Sequence, residues 1–355
     1  MEAFRKTKAV IDLGAIRRNT QRLIQKYPGY KYYTAVVKAD SYGYRGDQVV
    51  QAMVDGGCNS LAASLLEEGL LLRAQYPQLP ILLFTPVPLE QLDLCVQKQL
   101  WVSVADLDQA NQAAQVGGLQ VVIRANGGSD IFGGPTSQAG FMELWNTLKN
   151  GKCTLMGIYL HSYNAEDEHD TMAEYETFEK MTANLDLSAL DFVSISNSLS
   201  LPRYGKKIYC NGCRLGNIIY RIESEDMDLE HTFRLESEIL SVFPLKKGNS
   251  VAYSHAYTAQ EDVEWIAAVP IGFGDGFSKT NIGRNVYIHD KRYPVVAVTM
   301  DIIHIRVDKT VKRGDKVLLI KDNHHLDEIS QHIHGATEEA ITNLNKRVYR
   351  EYIDG

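Results

Sequence analysis

Short apolar runs alternate with longer amphipathic segments over residues 34–216. Two of the longer segments, 47–56 and 65–76, repeat apolar residues at the spacing of one helix face and stop at glycines or before a proline. The apolar runs between such segments are strand-like and lie at 34–39, 60–64, 81–84, 101–105, 121–125, 157–161, 192–198 and 208–215. This alternation predicts a (β/α)₈ barrel of the TIM type. An open doubly wound sheet is the alternative, which is less favoured because no Gly-x-Gly-x-x-Gly sequence follows the first strand.

The pattern changes after about residue 230, where helical periodicity fades and turn residues separate successive strand-like runs. The runs lie at 235–243, 250–253, 264–270, 285–288, 293–298, 302–307 and 316–319. They predict a mainly antiparallel β domain, which we expect a helix at 337–349 to close. We therefore assign residues 8–230 to the barrel and 231–355 to the β domain, and we expect the extra strand at 9–13 to pair with the β domain.

Composition and charge exclude several classes of protein. The net charge of −7 argues against a nucleic-acid binder, which would need a basic face. No stretch approaches the ~20 apolar residues of a membrane span, and the first residues lack the apolar core of a signal peptide. We expect a cytoplasmic protein with no membrane segment in this chain, although the sequence leaves open whether it is the soluble part of a longer membrane protein.

The cysteines indicate neither a disulfide framework nor a metal site. They are five in number, and only Cys210 and Cys213 have the Cys-x-x-Cys spacing. A structural zinc ion would need a second pair of ligands at similarly close spacing. We expect these two side chains to pack at the end of a strand, with a redox role of the pair as the alternative, and predict no metal.

Candidate chemistry follows from the barrel, in which active sites lie at the carboxyl ends of the strands. Lys38 ends the first predicted barrel strand, where its amine is placed to act as a nucleophile, although a lysine that extends its ammonium into solvent is the alternative. His161 ends the sixth strand, and Ser198, Gly216 and Asn217 follow the seventh and eighth, where barrels often bind phosphate. An amine, an imidazole and a phosphate site on one rim indicate pyridoxal 5'-phosphate (PLP) bound covalently to the lysine.

The sequence Ala-Val-Val-Lys38-Ala-Asp-Ser-Tyr42-Gly resembles the cofactor-lysine motif of the alanine racemase family, PLP enzymes of fold-type III. Further similar blocks follow in the family's order, at Arg214-Leu-Gly216, 235–238, 251–259, 269–276 and Met300-Asp301. The resemblance therefore covers nearly the whole chain. It implies the barrel followed by the β domain, PLP as cofactor, and a homodimer with shared active sites acting on a small amino acid.

The resemblance also implies roles for individual residues. Lys38 would carry PLP and act on the proton of the D-amino acid, and Tyr257, from the β domain of the second subunit, would act on the proton of the L-amino acid. Arg214 would face the pyridine nitrogen and keep it unprotonated, because a guanidinium does not readily give up its proton. The other implied cofactor contacts are Tyr42, His161, Asn197, Ser198, Gly216 and Asn217, and the substrate contacts are Met300, Asp301 and Arg124.

Several positions depart from the family's pattern. Arg124 and Ile131 stand where members usually carry a lysine and an arginine in the fifth-strand loop, and Phe273 replaces a tyrosine. Lys346 or Asn345 stands at the position of a further tyrosine near the C-terminus.

These departures concern the substrate pocket rather than the cofactor. They predict an amino-acid racemase with altered or relaxed substrate choice, because a missing polar partner discriminates strongly between substrates. Alanine, serine or another small amino acid is the expected substrate, or a basic one if Asp130 faces its side chain.

Two other functions share parts of this pattern. Fold-type III decarboxylases have the same domain plan, but they carry a cysteine-bearing motif where this chain has Tyr257. Small PLP-binding proteins share the barrel but lack the β domain. A decarboxylase or a catalytically weak PLP-binding protein is therefore the alternative.

Overall fold

The computed structural model describes residues 4–128, 131–220 and 228–355. Asp130, which the sequence offers as a contact for a basic substrate, lies outside the described residues. The predicted domain boundary between residues 230 and 231 stays a prediction. The backbone itself forms two compact units.

We call these two units the barrel unit and the β unit. The barrel unit comprises Arg17–Ser41 and Val50–Ile219, and the β unit comprises Met1–Ile16, Tyr42–Val49 and Tyr220–Gly355. The β unit therefore contains the first strand of the chain as well as its C-terminal part. A short segment after the first barrel strand also belongs to the β unit.

The first strand, β1 (Lys8–Asp12), is followed by eight parallel strands that form the barrel. These eight are β2 (Tyr32–Val36), β3 (Ser60–Ala63), β4 (Ile81–Leu83), β5 (Trp101–Val104), β6 (Gln120–Ala125), β7 (Thr154–Leu160), β8 (Phe192–Ser194) and β9 (Gly212–Leu215). Their order in the sheet is β8-β7-β6-β5-β4-β3-β2-β9. The sheet is nearly closed, because Asn211 N donates to Val193 O at 3.1 Å and Arg214 N donates to Ser196 O at 3.2 Å. The predicted barrel is confirmed, and the open doubly wound sheet is wrong.

Helices alternate with these strands along the chain, and polar side chains cap several of them. They are α1 (Leu13–Lys26), α2 (Lys38–Tyr42), α3 (Asp47–Asp55), α4 (Leu66–Gln75), α5 (Leu92–Gln97), α6 (Leu107–Ala113), α7 (Gln138–Lys149), α8 (Glu168–Thr182), α9 (Ser200–Tyr204) and α10 (Asn217–Tyr220). Asp106, Ser137 and Asp167 accept backbone N–H bonds at the starts of α6, α7 and α8. The helices predicted at 47–56 and 65–76 are confirmed as α3 and α4. Among the described residues, we find no helix with the length and apolar character that crossing a membrane requires.

Aromatic rings and glycines pack together in the barrel near the amino ends of its strands. Tyr32, Trp101 and Phe192 contact one another edge to face, with ring centroids 5.7–5.9 Å apart. Gly212 lies so close to the Phe192 ring that an added Cβ would be 2.5 Å from it. A Cβ at Gly157 would collide with the Phe192 carbonyl oxygen on the neighbouring strand. These two glycines are therefore required by close packing rather than by backbone conformation.

The β unit is built on a nine-stranded sheet in the order β11-β14-β17-β16-β15-β18-β10-β1-β19. Its later strands are β10 (Phe233–Glu238), β11 (Ser241–Lys246), β12 (Ser250–Val251), β13 (Tyr257–Thr258), β14 (Val263–Val269), β15 (Asn285–Ile288), β16 (Lys291–Val298), β17 (Ile303–Val307), β18 (Lys316–Ile320) and β19 (Tyr349–Ile353). Strand β1 pairs antiparallel with β10 and parallel with β19, while β12 and β13 form a separate two-stranded ribbon. The predicted β domain of mainly antiparallel strands is confirmed.

One predicted strand, 235–243, is two strands in the structure. Strand β10 pairs with β18, whereas β11 pairs with β14. The chain changes from one partner to the other between Ile239 and Leu240. Ile239 N donates to Asp315 O at 3.0 Å, and Leu240 N donates to Ala268 O at 2.8 Å. The apolar run continues across this change of partners, so the sequence pattern does not reveal it.

The helix predicted at 337–349 is wrong in its position. The structure has a longer helix, α11 (Asn323–Ile333), then a single turn, α12 (Glu339–Thr342), and then β19. Asp322 caps α11 by accepting from His325 N at 2.9 Å, which is a start signal that the sequence does contain. Arg350 is buried and donates to the Leu344, Asn345 and Val348 carbonyls, so it fixes the turn that leads into β19.

The close contact at Gly157 predicts that a larger residue there destabilises the protein. We expect Gly157→Ala to lower the free energy of unfolding by about 1–3 kcal/mol, because the methyl group would push β7 away from β8. Chemical denaturation measures this change. Gly117→Ala is the matched control, because a Cβ there meets no atom within 4 Å and should leave the midpoint unchanged. Equal midpoints for the two variants would contradict the packing argument.

Candidate active site

Lys38 lies two residues beyond the carboxyl end of β2 and is partly buried. The three residues after it, Ala39, Asp40 and Ser41, have left-handed backbone conformations with φ of 52–55°. Such a run is costly for residues with a side chain and needs support from its surroundings.

Glu68 supplies part of this support. Its carboxylate accepts from Ala39 N at 2.6 Å and from Ser64 N and Leu65 N at 2.9 and 3.0 Å. One side chain therefore holds both the turn that follows Lys38 and the start of α4. Sequence reasoning missed this residue, although a glutamate three positions into a helix is a capping signal.

Arg214 on β9 is 2% exposed and is fixed among barrel residues. Its Nη2 donates to the Leu160 carbonyl oxygen at 2.7 Å, and its guanidinium carbon lies 5.0 Å from the centre of the Tyr159 ring. Burial, followed by smaller charge effects that include Arg124, lowers the pKa of Arg214 to about 10, so the group stays charged at neutral pH. Among the described residues, its Nη1 is buried without a hydrogen-bond partner.

A buried donor without an acceptor costs about 1–3 kcal/mol, so an acceptor atom of a bound ligand or of a water molecule would stabilise Arg214 here. The missing partner must accept a hydrogen bond and lie inside the barrel mouth. An unprotonated pyridine nitrogen meets both conditions, so Arg214 fits the group that the sequence assigns to it.

Arg124 on β6 is a second buried cation in the barrel unit. Its guanidinium carbon lies 4.8 Å from the centre of the Phe132 ring and 5.7 Å from that of Tyr159. The fully buried Tyr159 ring therefore contacts two guanidinium groups. Its hydroxyl lies 3.0 Å from Ser103 Oγ, which itself donates to the Leu83 carbonyl, so Tyr159 is the donor in that bond. Neither Tyr159 nor Phe132 was identified from the sequence.

His161 follows β7 and faces this positive charge. Packing around the ring, and then the charges of Arg214, Arg124 and Lys38, lower its pKa well below the usual value. One side of the residue is open to solvent, but the three cations all act in the same direction. His161 is therefore neutral at neutral pH and can accept a hydrogen bond as well as donate one.

The loops after β8 and β9 bring the predicted phosphate contacts together. Gly216 N donates to Ser198 Oγ at 2.9 Å, which joins the two loops directly. Asn197 Oδ1 accepts from Leu199 N at 3.0 Å and from Ser200 N at 2.9 Å, so this side chain shapes the loop before α9. Asn217 is the first residue of α10. Ser198 Oγ accepts in the bond from Gly216 N, so the hydroxyl keeps its own proton to donate, and such a group fits a phosphate.

Tyr42, Met300 and Asp301 belong to the β unit. Tyr42 is 8% exposed, and its ring lies 5.2 Å from that of Tyr220. Met300 is 53% exposed, and its carbonyl accepts from Gly274 N at 2.8 Å, in the loop that also contains the variant residue Phe273.

Asp301 is engaged by a residue that sequence reasoning missed. Arg347 Nη2 donates to Asp301 Oδ1 at 2.5 Å, and Arg347 Nε lies 3.3 Å from Oδ1 of the fully buried Asp275. The variant position Lys346 is exposed and precedes this arginine. The arginine links two loops through their carboxylates, and no local pattern in the sequence predicts such a pairing.

Tyr257 is the first residue of β13 and is partly buried. Its ring packs on an apolar cluster formed by Leu245, Ala259, Ile266 and Val296. Its hydroxyl donates to Glu264, a second residue that the sequence did not reveal.

The predicted residues therefore form two groups. The barrel unit holds Lys38, Arg124, His161, Asn197, Ser198, Arg214, Gly216 and Asn217. The β unit holds Tyr42, Tyr257, Met300 and Asp301. The variant residue Ile131 is 79% exposed and offers no polar group.

The chain matches two family profiles that together cover most of its length. Residues 11–224 match "Alanine racemase, N-terminal domain", and residues 232–352 match "Alanine racemase, C-terminal domain".

Whole proteins of similar sequence and structure carry the same name. Alanine racemase 1 of Bacillus subtilis (strain 168) is 28% identical over 99% of this chain and 94% of its own length. An alanine racemase of Streptococcus pyogenes serotype M18 is 31% identical, with 98% of each chain covered. The crystal structure of alanine racemase from E. faecalis superimposes with a TM-score of 0.90 at 27% identity, with 98% of each chain covered. On this evidence the chain belongs to the alanine racemase family.

Proposed function

We propose that this chain is a PLP-dependent amino-acid racemase in which Lys38 and Tyr257 act on opposite faces of the substrate. The observation that carries the proposal is the buried Nη1 of Arg214, which has no partner among the described residues and lies in a barrel that also presents Lys38. PLP supplies an electron-withdrawing ring that stabilises negative charge at the substrate α-carbon.

Each barrel residue has a distinct part in holding the cofactor. Arg214 would donate to the pyridine nitrogen, and its positive charge would keep that nitrogen unprotonated. A ring in this state withdraws electrons less strongly, which favours inversion at the α-carbon over transamination. Ser198, Gly216 and Asn217 would hold the phosphate, and the neutral His161 would be a further contact of the cofactor.

The two proposed acid–base groups explain why inversion is possible. Lys38 takes or returns the proton on the side that corresponds to the D-amino acid, and Tyr257 does so on the side of the L-amino acid. We further propose that Tyr257 comes from the second subunit of a homodimer. The backbone amide of Met300 and the charge of Arg124 are the proposed contacts of the substrate carboxylate.

The substrate is a small amino acid, with alanine and serine the first candidates. Support for an altered or relaxed substrate choice comes from the exposed, apolar Ile131 and from the phenyl ring at Phe273. Neither side chain can form the hydrogen bonds that the usual arginine and tyrosine would make.

Incubation in D₂O with PLP tests the racemase function. The L-isomers of alanine, serine, ornithine, lysine and glutamate are followed by NMR for α-proton exchange and by chiral chromatography for inversion. We expect exchange with inversion, fastest for alanine or serine. A covalently bound cofactor without any exchange would contradict the proposal, and release of carbon dioxide would indicate a decarboxylase instead.

Mixing two inactive variants tests the shared site. We expect Lys38→Ala and Tyr257→Phe each to lose about 10²–10⁴-fold in kcat, because each lacks one acid–base group. In a mixed dimer, one site would combine an intact Lys38 with an intact Tyr257.

Random exchange of subunits should therefore restore about a quarter of wild-type activity. The control is each variant mixed with itself, which should stay inactive. No recovery from the mixture, with mixed dimers demonstrated by mass spectrometry, would show that Tyr257 does not serve the neighbouring subunit.

A further inference from the structure

A buried arginine of the β unit lines a cavity and is poorly paired. Arg284 directly precedes β15 and is 5% exposed. Its Nη1 donates to the Leu319 carbonyl oxygen at 2.8 Å, and its guanidinium carbon lies 4.7 Å from the centre of the Phe277 ring. Its Nε is buried and has no hydrogen-bond partner among the described residues. One carbonyl therefore serves a guanidinium that has five N–H groups to donate.

A second buried arginine of the same unit shows how this fold offsets such a charge elsewhere. Arg350 is 8% exposed and donates to the carbonyl oxygens of Gly43, Leu344, Asn345 and Val348. Arg284 has one such carbonyl, and within the described part of the chain it forms no ion pair with a carboxylate. A buried charge needs more compensation than this, so a further acceptor would stabilise Arg284.

The arginine keeps its charge at neutral pH, and a neighbouring imidazole does not offset it. Burial lowers the pKa of Arg284 to about 9. Burial, and then the charge of Arg284, lower the pKa of His325 on α11 to about 4. His325 Nδ1 accepts from Lys321 N at 3.2 Å, and its Nε2 donates to the Asn285 carbonyl oxygen at 3.0 Å. The neutral ring therefore has no acceptor left to offer the guanidinium.

The cavity beside Arg284 has a volume of about 40 Å³, and all of its lining residues belong to the β unit. About 10–15 Å³ is enough for one water molecule, so the space suits an ion such as chloride or formate and excludes a large organic anion. Part of its wall is apolar, formed by Leu235, Ile320, Ile329 and Ile333. Such a wall strengthens the attraction between Arg284 and a negative charge, because it lowers the local dielectric constant.

Other groups that line the cavity can also donate hydrogen bonds. Ser278 Oγ accepts from Thr280 N at 3.2 Å, so the hydroxyl keeps its own proton to donate. The side-chain amide of Asn281 uses one N–H on the Ser278 carbonyl oxygen at 2.7 Å and has a second N–H. Glu339 is the one carboxylate among the described lining residues, and it is exposed. The buried part of the cavity is therefore rich in donors and positively charged.

We propose that this cavity binds a small monovalent anion, either a halide or a short carboxylate such as formate, with Arg284 as its cation. Nε of Arg284 and the hydroxyl of Ser278 donate to the anion. The bound ion joins the loop that contains Phe277 and Ser278 to the segment 339–344, so it stabilises the packing of the β unit. The proposal is independent of the reaction, because no residue of the candidate active site lines this cavity.

Bromide locates the site, because it replaces chloride and scatters anomalously. Crystals of the PLP-loaded protein are soaked in sodium bromide, so that anion binding in the barrel does not contribute. We expect an anomalous peak in contact with Nε of Arg284. A second soak, with sodium formate added in excess, distinguishes the two ligands: loss of the peak identifies a short carboxylate as the preferred ion, and its persistence identifies a halide. Both results support the site.

Thermal unfolding of the PLP-loaded protein tests the site in solution. Sodium chloride is compared with sodium gluconate at equal ionic strength, because gluconate is too large for the cavity. We expect chloride to raise the Tm of the wild type by about 2–4 °C, since an ion that binds the folded chain alone stabilises it. Arg284→Met should abolish this rise. In gluconate this variant should melt at or above the wild-type temperature, because an apolar side chain replaces a poorly paired buried charge.

Two further variants separate the site from general effects of charge. Glu339→Gln removes the carboxylate that lines the cavity and keeps Arg284, so we expect it to lower the dissociation constant of chloride about 3- to 10-fold. Arg313→Met is the matched control, because it removes an exposed arginine of the same unit. This control should keep the full chloride-dependent rise in Tm.

Three results would overturn the proposal. The first is a bromide-soaked crystal without a peak at Arg284. The second is a chloride-dependent rise in Tm that Arg284→Met retains in full. The third is a peak in the crystal with no rise in the Tm of the wild type, which would mean binding at crystal concentration only.

Discussion

Closure of the eight-stranded parallel sheet is the constraint on which the candidate site depends. Once β8 and β9 are joined by backbone hydrogen bonds, the carboxyl ends of all eight strands meet at one rim. Lys38, His161 and Arg214 come from strands far apart in sequence, and only this closure places them on one rim. The close packing at Gly157 and Gly212 allows the closure, since larger residues there would separate the strands.

Several positively charged side chains lie at this rim, and they alter the protonation of a neighbouring imidazole. Arg124 and Arg214 share the ring of Tyr159. Packing around His161, and then the charges of these two arginines and of Lys38, lower the pKa of that imidazole and keep it neutral. Buried cations are unfavourable unless something offsets them. Stacking on aromatic rings and bonds to carbonyl oxygens offset part of this cost, and an anionic ligand offsets more. The buried cations thus destabilise the chain on its own, and they favour the binding of a phosphate-bearing cofactor and of a substrate with a carboxylate.

In the β unit, carboxylates hold several side chains in place. Glu264 fixes Tyr257, and Asp275 and Asp301 both engage Arg347. Each of these pairs joins neighbouring loops or strands of the antiparallel sheet. A rigid partner of opposite polarity holds a side chain in one defined orientation.

The sequence alone determined the barrel, the β domain, the family and the order of its motifs, because these depend on local periodicity and on residues adjacent in the chain. It did not reveal the break between β10 and β11, the extended C-terminal strand, or the supporting roles of Glu68, Glu264 and Arg347. Apolar runs look alike whichever strand they pair with, so only tertiary contacts decided where the partner changes. A buried carboxylate is likewise indistinguishable in sequence from a solvated one, since its function is set by the hydrogen bonds that folding brings to it.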